Sequence, residues 1–369
     1  MIGDPQDNHC RLFAAAARPL EVEVQVLDYR EAFADPSRLG TGSVVRFETP
    51  GRDPGMHAFL VELGSRLTER GPTQVELAKT LAQKGRIVHP DLWHLGLGHV
   101  LRTIREGAGP TPRFLASPQE ITAMFDKCAC HAKLAAAGLP VAASPGPITG
   151  FAELEAQMAA AGMPAVFVKL RHGSAASGIV ALRTSRGRWR ATSTVEMGEG
   201  EGRASALFNT RRLRTYSRPR DIAAIVDALC RFGVHVERWI PKLGIDGKST
   251  DLRVLVVAGK PCFQVVRMSR GPITNLHLGG TRATPDILAN RLREGVYEQA
   301  MASCVAVGRV FPEAFQYAVD LAFTSDGRKH CILEVNAFGD LLKGATANGM
   351  DTYAHQLSAL RQQEGWDAR

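Results

Sequence analysis

The feature that most constrains the fold lies near the C-terminus. Two apolar runs, Tyr317-Ala318-Val319-Asp320-Leu321-Ala322-Phe323 and Cys331-Ile332-Leu333-Glu334-Val335-Asn336, flank Ser325-Asp326-Gly327-Arg328. Asp-Gly between such runs is a strong hairpin signal, because the tight turn needs a backbone that glycine readily adopts. A three-residue loop, Asp326 to Arg328, sets Asp320 directly opposite Glu334. Glu334 and Asn336, two apart, share a face. Three oxygen-bearing side chains then converge, and crowded carboxylates repel one another unless a cation sits between them. Hard oxygen donors with nothing soft nearby suit magnesium, which completes its shell with water and nucleotide phosphates. The competing reading is a solvent-facing hairpin rim.

A second element favours the site. Lys169 ends an apolar run and precedes Arg171-His172-Gly173-Ser174-Ala175-Ala176-Ser177-Gly178, a loop of tiny side chains whose N–H groups can approach phosphate oxygens. It is not a Walker motif, which needs glycine, lysine and serine or threonine opening a helix. A third is Val236-Glu237-Arg238-Trp239-Ile240-Pro241, a strand end with an acidic residue inside it. An adenine ring needs an apolar slot with backbone or carboxylate groups at its amino edge. Core packing is the plain alternative for Trp239.

At 369 residues the chain has room for two or three packed units. Its apolar runs are far shorter than the roughly 20 residues of a membrane span, so no transmembrane helix is expected. The start Met1-Ile2-Gly3-Asp4 has no secretory pattern, and cytoplasmic residence is the default expectation. Alternation at Leu20 to Leu27 and at Val44 to Phe47, with Arg86-Ile87-Val88, predicts strands. Arg11 to Ala17, Met56 to Arg70 and Pro118 to Leu134 read as helices, the last stopping at Ala137-Gly138-Leu139-Pro140. The first stretch reads as a doubly wound α/β unit ending near Phe114. Beyond it come hairpins, with helices at about Asp221 to Phe232 and Asp286 to Phe311, a mixed α+β pattern.

Taken in order, these residues resemble the ATP-grasp enzymes, in particular the branch with the ribosomal-protein glutamate ligase and glutathione synthetases. The resemblance covers about Phe125 to Asn348. It implies a pre-ATP-grasp, Rossmann-like α/β domain over 1–114. An α+β ATP-grasp fold of two lobes would follow, over 115–240 and 241–369. Lys127 and Lys169 resemble the phosphate lysines, with Ser174, Ser177 and Gly178 in the covering loop. Glu237 and the Trp239 and Ile240 backbones resemble the adenine hinge, and Asp251 the ribose contact. Arg267 to Gly280 is similar to the loop that meets the γ-phosphate and substrate. Asp320, Glu334 and Asn336 fall on the magnesium ligands. There are departures: Ile273 stands where the glutamate ligase has arginine, and Ala337-Phe338-Gly339-Asp340 replaces the commoner serine-proline, which indicates a separate subfamily.

The implied activity is ADP-forming ligation of a carboxylate to an amine through an acyl phosphate, using ATP and two magnesium ions, with manganese as an alternative. Arg267, Arg253 and Asn275 are the implied catalytic residues. The substrates would be small-molecule or peptide carboxylates and amines, with no membrane or nucleic-acid partner. Homodimers are common among such relatives. The alternatives are a small-molecule kinase using the same site and a nucleotide-binding regulatory module. Cys128, Cys130 and His131 read as helical packing residues rather than metal ligands, and seven cysteines as reduced thiols. His89, Trp93, His94 and His99 read as structural, and His277 as either a base or a loop hydrogen-bonding group. The net charge of +8 gathers partly at Arg203, Arg211, Arg212, Arg214, Arg218 and Arg220. Such a span is a solvated loop or an attractor for acidic substrate.

Overall fold

The computed structural model describes residues 1–51, 53–198, 206–338, 342, 344–347 and 349–364. The N-terminal region is α1 (Asn8–Ala17), α2 (Tyr29–Ala34), β1 (Val44–Val45), α3 (Pro54–Thr68), α4 (Gln74–Leu81), α5 (Pro90–Gly107) and β2 (Arg113–Phe114). Asp7, Asp28, Asp53 and Thr73 cap their helices with side-chain oxygens, as short polar residues before an apolar-periodic segment do. Helices α3 and α5 nearly touch at Gly64 and Gly96, where a methyl group would sit 2.0 and 1.9 Å from the opposing carbonyl oxygens.

Parallel pairing in this region is short. β1 pairs with β2, and Ile2 bridges Leu27 and Phe47. The strand expected at Leu20 to Leu27 pairs only at Leu27. Its start is a 3-10 turn, Arg18–Leu20, ending in left-handed Glu21. The expected strand at Arg86 to Val88 is instead an isolated bridge, Arg86 opposite Phe208, that pairs away from its own region, with Ile87 N donating to Leu207 O.

The helix expected from Pro118 to Leu134 is two helices, α6 (Pro118–Phe125) and α7 (Lys127–Ala136). Asp126 between them is extended, and its carboxylate accepts from the Cys128 and Ala129 amides. An N-cap inside an apolar-periodic run is what breaks it. After α8 (Phe151–Ala160) come β3 (Ala165–Leu170), β4 (Ile179–Ser185), β5 (Arg188–Gly198), β6 (Ala206–Tyr216), α9 (Pro219–Cys230) and β7 (Val234–Arg238). They form an antiparallel sheet in the order β6-β5-β4-β3-β7. Leu154, Val166, Val168, Leu182, Ile222 and Val226 join its one face to α8 and α9 in a separate core.

A second sheet holds β8 (Gly244–Ile245), β9 (Lys248–Val257), β10 (Lys260–Ser269), β11 (Thr281–Ala283), β12 (Gln316–Phe323) and β13 (His330–Asn336), ordered β11-β10-β9-β12-β13 with β8 on β9. Helix α10 (Val296–Val310) precedes β12 and α11 (Thr352–Glu364) closes the described chain. α10 starts ten residues later than the expected Asp286, because Gly295 stands at φ 78° and residues 291–293 dock on the hairpin tip at Gly327. Leu252, Val254, Val319, Ala300 and Val307 share one core with Ile2, Leu97 and Leu101 of the N-terminal region.

Asp320 does face Glu334, by a route the loop count missed. The strands close at Phe323 and His330, giving a longer turn than three residues, and a bulge at Leu333 shifts the register back.

Candidate active site

Strand register assembles the centre of the second sheet. Asp320 on β12 lies opposite Arg253 on β9, and Arg267 on β10 opposite Asp251 on β9. Arg253 donates twice to Asp320, at 2.7 and 2.8 Å. Arg267 spans both carboxylates, with Nη2 3.0 Å from Asp320 Oδ2 and Nε 2.6 Å from Asp251 Oδ1. Burial alone would raise the Asp320 carboxyl, but the two guanidiniums overcome it and hold it well below the carboxylate range. Forked, planar donors suit this double pairing.

Thr274, inside the expected 267–280 loop, joins Lys242, which the sequence motifs did not single out. Lys242 Nζ donates to Thr274 Oγ1 at 2.6 Å and lies 3.6 Å from Asp251 Oδ2, and Thr274 donates its hydroxyl to the same oxygen. The available signal was position: a lysine between Glu237 and Asp251. Beside them, Asn275 Oδ1 accepts from the His277 amide at 2.7 Å, capping the 3-10 turn Leu276–Leu278. Asn275 therefore shapes the loop, while the His277 side chain is exposed.

Lys127, the first residue of α7, donates to Glu334 Oε1 at 2.6 Å and to Gly173 O at 2.7 Å, so one ammonium touches both the hairpin and the small-residue loop. Arg171 grips the capping Asp126 with two bonds of 2.8 and 2.6 Å, and His172 Nε2 lies 3.6 Å from it. Of the four N-terminal residues read as structural, His94 reaches this corner. It donates to Thr122 O and stacks on His172 at 4.0 Å. Burial, then His172, pulls His94 down to about 4.

Lys169 on β3 pairs with Glu237 on β7 at 2.5 Å, with His235 Nε2 3.4 Å from the other oxygen. Burial would raise Glu237, but Lys169 foremost holds it down to about 2. Burial also lowers His235, leaving Lys169 as the cation of the pair at neutral pH. The Glu237 carboxylate thus faces lysine. The Trp239 amide is likewise engaged, donating to Ala165 O at 3.0 Å. Trp239 packs on Phe167 with rings 5.3 Å apart. An apolar cluster of Phe167, Ala181 and Ile273, with Trp239 and Leu278, joins the first sheet to the 270–280 loop, which accounts for an isoleucine at position 273.

The small-residue loop folds back on itself, Ser177 N donating to Ser174 O at 2.8 Å and Leu170 N to Gly178 O at 3.0 Å. Ala175 and Ala176 stand at φ 49° and 62°, conformations that L residues adopt at a cost. Gly178 has φ 66° and its Cα lies against Leu170, where a methyl group would approach to 2.3 Å.

Among the described residues no three His, Cys, Asp or Glu side chains cluster as a metal site. The expected donor set is two carboxylates and an amide. Asp320 and Glu334 face one another, and the buried Asn336 Nδ2 has no partner. Oxygen donors of this kind fit a hard divalent cation. A narrow cavity lined by Lys127, Cys130, Lys169, His235, Glu237 and Glu334 lies between α7 and the two sheets. A larger cavity of about 670 Å³ lies between residues 20–25, residues 43–46 and α11, away from these charges.

Arg211, Arg212 and Arg214 are exposed on the edge strand β6, and Arg214 pairs with Glu196 at 2.8 Å. Arg203, Gly339, Asp340 and Asn348 lie outside the described residues. Cys128 and Cys130 pack in α7, and burial pushes the Cys130 thiol up to about 12. All seven cysteines are free thiols. Among the described residues no helix is long and apolar enough to cross a membrane.

No family model and no curated protein matches the sequence. Solved structures do match in fold. D-cycloserine synthetase DcsG shares 16% identity at TM-score 0.56, over 98% of both chains. ATP-grasp ligase PsnB, complexed with a phosphomimetic variant of its minimal precursor, Mg and ADP, shares 15% at 0.54, over 98% of this chain and 97% of its own. Macrocyclase MdnC from Microcystis aeruginosa, bound with precursor peptide MdnA, shares 10% at 0.53, over 98% and 99%. The mixed α/β chain thus carries the fold of ATP-grasp ligase structures over nearly its full length.

Proposed function

We propose that this protein is an ATP-dependent carboxylate–amine ligase working through an acyl phosphate, in the glutathione synthetase and glutamate ligase-like branch. The observation that carries the reading is the set of ion pairs Lys127–Glu334, Lys169–Glu237, Arg253–Asp320 and Arg267–Asp320, with Asp320 facing Glu334 across the hairpin. Cations facing carboxylates across two sheets are what a polyanion and its counter-ions need, and phosphoryl transfer is mostly positioning and charge neutralisation. The domain division 1–114, 115–240 and 241–369 belongs to this reading. So does a Rossmann-like first domain, supported by the parallel β1–β2 pair.

Lys127 and Lys169 exchange their carboxylate partners for phosphate oxygens when nucleotide enters, and Ser174, Ser177 and Gly178 cover them. The base lies near Trp239 and Ile240 and the Glu237 carboxylate. Arg267 and Arg253 face the transferring phosphoryl group, with Asn275 shaping the adjoining loop. Asp320, Glu334 and Asn336 would hold the magnesium ions, which neutralise phosphate charge. A substrate carboxylate oxygen attacks the γ-phosphorus and ADP departs. An amine nitrogen then attacks the acyl carbon, the C–O bond to phosphate breaks, inorganic phosphate leaves and the amine proton passes to solvent. A loop closed over the site keeps water from the acyl phosphate. A peptidic carboxylate is favoured by the precursor complexes of PsnB and MdnC. The cytoplasm and a homodimer are the corresponding expectations.

The test is hydroxamate formation from ATP, magnesium, hydroxylamine and a panel of amino acids and short acidic peptides. Hydroxamate with stoichiometric ADP is expected. ADP with a phosphorylated hydroxyl product and no hydroxamate would mark a kinase, and no ATP turnover across the panel a regulatory module.

A further inference from the structure

Lys242, Asp251 and Thr274 meet behind the loop that runs from β10 to β11. Both Asp251 oxygens already face protein donors: Arg267 Nε at 2.6 Å on one, Thr274 Oγ1 and the Lys242 ammonium on the other. The side chains of Asp251 and Lys242 are only 2% and 8% exposed. Each Asp251 oxygen thus accepts one hydrogen bond from the protein, and a sugar hydroxyl would have to share an oxygen with Arg267 or Thr274 on an almost wholly buried side chain. Neighbouring loop residues face opposite ways. Ile273 packs with Phe167 and Ala181 of the first sheet, whereas Thr274 is held by β9 and Lys242 of the second. The loop's return is equally close, since a methyl group at Gly280 would lie 2.8 Å from Asn275 O and 3.1 Å from Met268 O.

We infer that Lys242, Asp251 and Thr274 form a lock that fixes the 270–280 loop on the second sheet, with Asp251 a positioning residue rather than a ribose ligand. Burial pulls the Lys242 pKa down, and Asp251 opposes this. Releasing Thr274 removes the side-chain tie of the loop's middle to the second sheet and leaves Ile273 holding it to the first. The loop then moves with the first lobe rather than with Arg267.

The test has two arms on the full-length protein, of which only the nucleotide arm rests on the ligase reading. In hydrogen exchange without ligand, Lys242→Met and Thr274→Val should each speed the amides of residues 275–280 about tenfold, with little change in β9. Thr274→Ser, which keeps the hydroxyl, should behave as the native chain. In the binding arm, Asp251→Asn should leave the affinity ratio of ADP to 2′-deoxy-ADP and 3′-deoxy-ADP within about threefold of native, while Lys242→Met and Asp251→Asn both weaken a non-hydrolysable ATP analogue more than ADP. Unchanged exchange in both Lys242→Met and Thr274→Val overturns the lock. Loss of the ADP preference in Asp251→Asn assigns that residue to ribose instead. A native chain that binds no nucleotide defeats the ligase reading and leaves exchange to decide the lock.

Discussion

The two sheets handle buried charge in different ways. In the first, Lys169 and Glu237 form a single pair, with His235 as a neutral neighbour. In the second, Asp320 is shared by Arg253 and Arg267, and Arg267 continues to Asp251 and thence to Lys242 and Thr274. A pair can be exchanged for another partner one-for-one, as the proposed phosphate role of Lys169 requires. A shared network fixes several side chains at once, as the proposed role of Arg253 and Arg267 at the phosphoryl group requires. Desolvation makes both arrangements costly to break, since removing one partner leaves a buried charge uncompensated.

Asp320→Asn should therefore have the largest effect. It removes the anion from two guanidiniums, both on side chains at most 15% exposed, and should cost about 5 kcal/mol. Urea denaturation at neutral pH reads it. Glu237→Gln strands one lysine, 12% exposed, and should cost about 3 kcal/mol. The double change Lys169→Met with Glu237→Met should be less destabilising than Glu237→Gln. If Glu237→Gln cost more than Asp320→Asn, the distinction between pair and network would be lost.

The same pair sets a pH dependence. The Glu237 carboxyl has an ordinary value of 4.5 and is depressed to about 2 in the folded chain, where Lys169 outweighs burial. A depressed carboxyl contributes stability that is complete above the unfolded value and is lost as pH falls through the folded one. Stability should thus decline from about pH 5 towards pH 2, by about 3 kcal/mol for this group. In Glu237→Gln that part of the decline should vanish. An identical acid limb in native and variant chains would show that Lys169 does not hold the carboxylate down.

Much of this was legible where local chemistry and tertiary structure agree. Asp-Gly with alternating runs gave the hairpin, and Asp320 faces Glu334 as expected. The agreement needed a compensation that no local signal carries, the Leu333 bulge offsetting a longer turn. Asp126 was hidden inside a helical period because the apolar spacing runs on across it, and the break shows only in its extended backbone and the Cys128 and Ala129 amides it caps. Lys242 was silent because a lysine after a proline has no period, and its partners, Asp251 and Thr274, come from β9 and from the loop after β10. At the N-terminus, Val22, Val24 and Val26 alternate as a strand does, yet alternation describes a face and not a partner. Pairing there forms only where Ile2 reaches Leu27.

The exposed arginines of β6 sharpen the comparison from its weak end. Arg214 and Glu196 are 47% and 46% exposed, yet their contact of 2.8 Å is as short as those beneath the cleft. Distance alone would rank them with Arg253 and Asp320. Water screens an exposed pair, and two long side chains lose freedom to make it, so the net gain is small. Arg214→Ala should change stability by less than about 0.5 kcal/mol, and raising the salt concentration should erase even that. Asp320→Asn should keep most of its cost in the same salt, because a buried network is screened far less. Equal salt sensitivity in the two variants would mean that solvent reaches the second-sheet network, and that burial is not what separates the strong contacts from the weak.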